Sequence, residues 1–208
     1  MAFETSYPNP SKQYPGNTSY DSVKLSQEQI DAIYKFHNQI KLILSESGLL
    51  LNNEIDSNLL KEIEKLFKAG RVQSEHDKNG DLIINSFVAK NWIEVAMSGK
   101  FNIHPDSLKE YMQSNDFLNQ RSCELGLKLN NTLFINRDKN RDFKRAASLL
   151  EWTIGCLAQY LNKEETKMFL RYIYKPFLNP TIEDSNQIGR DFAWWTTQNT
   201  SNKRVRKR

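Results

Sequence analysis

An apolar stripe limits what this chain can fold into before anything else does. Phe143, Ala146, Ala147, Leu150, Ile154, Leu157 and Leu161 recur at three- and four-residue intervals. Over about five turns an α-helix gathers all of them on one side, whereas a strand would scatter them across both faces. A face that broad must be covered by other elements, and the sequence repeats the pattern elsewhere. Ser26 with Gln29 forms a capping box ahead of Ile30, Ile33, Tyr34, His37, Ile40 and Leu44, and Gly48 is a natural stop. Leu59, Leu60, Ile63, Leu66 and Phe67 mark a second helix over 57–69 that Gly70 ends; its other face, Lys61, Glu62, Glu64, Lys65 and Lys68, alternates in sign. Val88, Trp92, Val95 and Ala96 resume the helical spacing before Gly99. Pro105 suits the first turn of a segment with Leu108, Tyr111 and Met112, and Ser114 can cap one with Phe117, Leu118, Arg121 and Leu125. Asn162 can cap a last helix through Met168, Phe169, Tyr172 and Ile173, which Pro176 terminates.

Residues 71–86 break the helical rhythm. Asn79-Gly80 favours a two-residue turn because both positions tolerate positive φ, and Leu82–Ile84 has strand character, so a short hairpin is expected there. The same stretch can be set against a calcium loop beginning at Glu75, with Gly80 at the sixth position. It fails at position one, which is Glu, and at position twelve, where Ser86 replaces a bidentate Glu. Residues 1–24, with Pro8, Pro10 and Pro15 among polar residues, carry no period and are expected to be a disordered arm; Tyr7, Tyr14 and Tyr20 recur within it. The expected fold is therefore mainly α: a bundle of about six helices with one short β-hairpin, flanked by disordered N- and C-terminal arms. The helical domain spans 25–178, and 179–208 form a C-terminal arm holding an aromatic anchor and a basic tail.

At 208 residues the chain suits one domain, whose core needs no covalent staples. Cys123 and Cys156 belong to no Cys-x-x-Cys unit, so reduced thiols and an intracellular location, cytoplasm or nucleus, are expected. No apolar run of about 18 residues exists, and the first 20 residues lack a signal-peptide stretch, so no membrane partner is expected. No Gly-rich phosphate loop, G-x-S-x-G or H-E-x-x-H occurs. His37, His76 and His104 have no ligand-spaced partners, and His37 suits a satisfied core or boundary position. Neither a catalytic residue nor a cofactor or metal site is expected.

Charge carries the functional expectation. Residues 1–100 hold 11 bases and 13 acids, while 101–208 hold 18 bases and 12 acids, so an anionic partner should approach the C-terminal half. The last six residues, Lys203, Arg204, Val205, Arg206, Lys207 and Arg208, contain five bases and no acid. A second cluster comprises Arg121, Lys128, Arg137, Lys139, Arg141, Lys144 and Arg145, against Glu124, Asp138 and Asp142. Its later members lead into the first turns of the stripe helix, where cations oppose the helix dipole, a placement that stability alone does not favour. Phe192-Ala193-Trp194-Trp195 lies between polar stretches, and Trp194 and Trp195 can either dock on the bundle or stack on unpaired bases.

These features point to a non-enzymatic structural protein that binds nucleic acid, RNA or single strands, without sequence preference. Its order of parts is coat- or nucleocapsid-like, with self-association along the polymer. A helical interaction or scaffold protein whose Lys/Arg run is a nuclear-import signal is the alternative. A helix-turn-helix regulator over 108–129 is a third, although Asn119, Gln120 and Arg121 are consecutive and spread over about 200° of a helix.

Overall fold

The computed structural model of the protein describes residues 24–70, 72, 74–127, 129 and 142–205, and of 142–145 and 200–205 the backbone alone. Among the described residues there are nine helices and no strand. They are α1 (Gln27–Glu46), α2 (Asn53–Ala69), α3 (Glu75–Met97), α4 (Pro105–Met112), α5 (Asn115–Glu124), α6 (Asp142–Leu157), α7 (Lys163–Ile173), α8 (Lys175–Leu178) and α9 (Ile182–Val205). The N-terminal arm expected over 1–24 lies almost wholly outside the described residues.

Local chemistry sets most helix ends. The Ser26 hydroxyl accepts the Gln29 N–H at 3.2 Å while the Gln29 side chain accepts the Ser26 N–H at 2.9 Å, so both orphan donors at the start of α1 are satisfied. α2 starts at Asn53, earlier than its apolar stripe, because Asn52 caps it by accepting the Ile55 N–H at 2.9 Å. Gly70 closes α2 in the left-handed region at φ 61°. Ser114 caps α5, Asn162 caps α7 with a capping box to Glu165, and Pro105 occupies the first turn of α4.

The hairpin expected over 71–86 is not formed; α3 runs unbroken through Asn79 and Gly80. Gly80 is there for packing. α3 and α6 cross so closely that a Cβ on Gly80 would lie 1.8 Å from the Glu151 carbonyl oxygen, and one on Gly155 would lie 1.9 Å from that of His76. Helical Gly costs about 1 kcal/mol relative to Ala. Burial of Ile84, Phe87, Val88 and Val95 along α3 outweighs that cost, since each side chain contributes about 1.5–3 kcal/mol.

α6 is the central element, packed against α2, α3 and α5. Of its stripe, Ala147, Leu150, Ile154 and Leu157 lie in the core, Ala146 is half-buried, Leu161 packs at the core's edge, and the side chain of Phe143 lies outside the described residues. His76 ties three helices together. Gln159 Nε2 donates to His76 Nδ1 at 3.0 Å, which leaves the proton on Nε2 to reach Glu62 at 3.3 Å. The ring also meets Trp152 edge-on at 5.7 Å. His37 is buried as expected, 3.0 Å from Asp56, which also pairs with Lys41.

The C-terminal arm expected over 179–208 is instead largely helical, with α9 covering Ile182–Val205. A ladder of aromatic rings connects it to the core. Phe87 of α3 meets Tyr174 at 5.3 Å, Tyr174 meets Phe117 at 5.3 Å, and Phe117 meets Phe177 at 4.9 Å. Tyr111 of α4 continues the ladder to Phe192 at 5.7 Å and Trp195 at 5.6 Å, both on α9. Pairs of this kind contribute about 0.5–1.5 kcal/mol each beyond their buried area. The fully buried Tyr174 hydroxyl donates to the Met112 carbonyl at 2.9 Å, which satisfies its one polar atom.

Candidate nucleic-acid interface

α9 opens with a reciprocal cap: the Thr181 N–H donates to the Asp184 carboxylate at 2.8 Å and the Asp184 N–H donates to the Thr181 hydroxyl at 3.0 Å. From there Ile188, Phe192 and Trp195 turn toward the bundle at helical spacing. The same spacing puts Arg190, Trp194 and Thr197 on the opposite, outward side. Trp194 is 53% exposed, so a large apolar ring remains in water. Exposed Arg190, one turn before it, donates to Gln187 Oε1 at 2.6 Å. Lys203 and Arg204 occupy the last turn of α9, where the helix dipole favours cations.

Trp195 docks on Tyr111, and Trp194 is half exposed to solvent. Lys144 and Arg145 lie in the first turn of α6. Lys128, Arg137, Lys139, Arg141, Arg206, Lys207 and Arg208 fall outside the described residues.

Arg121 is engaged within the molecule. Its side chain is only 12% exposed and its Nη1 donates to Glu124 at 3.0 Å. Nε donates to the Ile173 carbonyl at 2.8 Å and Nη2 to that of Tyr172 at 3.2 Å, so the guanidinium caps the C-terminal end of α7. The small cavity of about 40 Å³ beside it is lined by Glu124, Asp184 and Asp191, a setting that repels an anion. Gln120 is similarly committed, donating to Glu124 at 3.0 Å and Asp191 at 2.8 Å. Of the three polar residues that a groove-reading α5 would present, Gln120 and Arg121 are thus engaged within the molecule.

Other titratable groups are explained by burial. Cys156 is buried, which pushes its thiol up to about 12 and leaves it a packing residue; Cys123 is exposed. Glu151 of α6 and Asp77 of α3 lie close together at the helix crossing. Burial first, then the Asp77 and Asp81 charges, push Glu151 up to about 8. Among the described residues no group of three or more His, Cys, Asp or Glu side chains is arranged to hold a metal ion. Nor is any helix among them long and apolar enough to cross a membrane.

Sequence reasoning missed Arg190 as the neighbour of Trp194, because their i, i+4 relation has meaning only on a helix. It also missed the basic rim formed by Lys90, Lys163 and Lys167 around an apolar groove, since two helices distant in sequence build it. No protein-family model, curated protein or solved structure matches this chain, so its geometry and chemistry carry the functional reading.

Proposed function

We propose that this chain is a non-enzymatic structural protein that binds nucleic acid, RNA or single strands, without sequence preference. In this reading the cationic end of α9 grips sugar-phosphate, Trp194 offers a face to an unpaired base, and copies of the chain associate along the polymer in a coat- or nucleocapsid-like manner. The observation that carries the reading is α9 itself. Its first half is docked by Ile188, Phe192 and Trp195, its outward side leaves Trp194 in water beside Arg190, and its last turn begins the five-base terminal run. Trp194 and Lys203 are about 14 Å apart along the helix axis, a span of a few nucleotides. Stacking tolerates any base because every base has a π-face, and phosphate contacts carry no sequence information. Lys144 and Arg145 at the start of α6 are the second contribution, placed where anions are favoured by the helix dipole.

Fluorescence anisotropy with short labelled RNAs of permuted sequence tests the reading, comparing the full chain with one ending at Asn202. The expected result is similar affinity for all permutations and a loss on the order of tenfold or more for the shortened chain. Equal affinity of the two chains would overturn it.

A further inference from the structure

A groove of about 670 Å³ lies between α3 and α7 where they meet the end of α6, within the roughly 300–1,000 Å³ typical of small-molecule sites. Leu82, Ile83 and Phe87 of α3, Ala158 and Leu161 following α6, and Leu170 of α7 form its apolar walls. Leu82 is 67% exposed at the lip, Ile83, Ala158 and Leu161 are half-buried, and the buried Phe87 and Leu170 form the floor, so part of this apolar surface is left open by the bundle. The rim is basic: Lys90 stands on α3, Lys163 and Lys167 stand one turn apart on α7, and no carboxylate lines the groove. Lys167 keeps a loose 3.9 Å pairing with Glu164. Among the described residues Lys90 and Lys163 have no acidic partner. Two of the other polar lining groups are already committed, since the Asn91 amide donates to the Phe87 carbonyl at 2.7 Å and the Thr166 hydroxyl to that of Asn162 at 2.9 Å.

An apolar trough with an ammonium rim and no acid selects for a ligand that joins a hydrocarbon chain to a negative charge. A polynucleotide would satisfy the lysines but leave the trough uncovered. A protein partner is also a poor match, because 12 residues line the groove, against about 20–30 per side at a stable interface. We propose that the groove binds a single-chain amphiphile with an anionic head group. The chain lies along Leu82, Phe87 and Leu170, and the ammonium groups of Lys90, Lys163 and Lys167 surround the head. None of the lining residues lies on α9, so this site is separate from the proposed nucleic-acid surface and stands or falls independently of it.

Isothermal titration of the full chain with octanoate, nonanoate and decanoate below their micellar concentrations tests the proposal, with decanol as the uncharged control. Saturable binding is expected to tighten roughly fourfold per added CH₂, with decanol weaker by about fivefold, the size of an exposed ion pair. The double variant Lys163→Gln, Lys167→Gln should lose affinity for decanoate but not for decanol. Leu82→Glu, at an exposed position that leaves the fold intact, should abolish binding of both. The proposal is overturned if decanoate gives no saturable heat, if affinity ignores chain length, or if Leu82→Glu binds like the parent chain. Binding to phosphatidylglycerol vesicles without binding to monomeric decanoate would equally overturn it, because the attraction would then be to a charged surface.

Discussion

Arg121 and Trp194 are both conspicuous in the sequence, and the fold uses them in opposite ways. Arg121 donates to the Tyr172 and Ile173 carbonyls from a largely buried position. Arg121→Ala strips the α7 end of these partners and should cost about 2 kcal/mol in urea unfolding while leaving RNA affinity unchanged. Weaker RNA binding at unchanged stability would show that the guanidinium serves the ligand instead. Trp194→Ala should do the reverse: little change in unfolding, because the ring is already exposed, and a loss of about 1–3 kcal/mol in single-strand affinity from the missing stack. Glu151 offers a test by pH. Its folded pKa of about 8 lies above its ordinary 4.5, so the folded state holds the proton more tightly than the unfolded chain does. The stability linked to that proton is complete below about pH 4.5 and is lost as pH rises through about 8. The melting temperature should therefore decline across that window, and Glu151→Gln should flatten the decline; an unaltered slope in the variant would remove the account of Glu151 as a carboxyl held protonated by burial beside Asp77.

Between helices, the α3–α6 crossing governs the body of the molecule. Gly80→Ala and Gly155→Ala each drive a Cβ into a backbone carbonyl less than 2 Å away, and each should destabilise by about 3 kcal/mol or more. Gly189 in α9 is the built-in control. A Cβ there meets nothing within 4 Å, so Gly189→Ala should stabilise by about 1 kcal/mol through helix propensity alone. Chemical denaturation of the three variants checks both signs. The same elements mark what is legible in the sequence. Ser26, Ser114, Asn162 and Gly70 are readable because a cap is decided within a few residues of itself. Gly80 is misread as a turn because its reason is a backbone carbonyl on α6, far along the chain. α9 escapes notice because Ile188, Phe192 and Trp195 make a thin stripe within a polar sequence, and it is helical because that stripe has the Tyr111 face to dock on. The internal partners of Arg121 are not legible in the sequence, because the α7 carbonyls that accept from its guanidinium lie about fifty residues along the chain.

For the molecule as a whole, charge and apolar surface are separated along the chain. Bases outnumber acids 18 to 12 beyond residue 100, and five of them end the sequence. The aromatic ladder from Phe87 to Trp195 joins the helix that carries that terminus to the core. The most direct measurement is the salt dependence of single-stranded RNA affinity for the full chain and for the chain ending at Asn202. With about −0.7 in log–log slope per neutralised phosphate, engagement of all five terminal bases predicts a contribution near −3.5 that disappears on truncation. An identical slope for the two chains, or affinity indifferent to salt, would contradict the account.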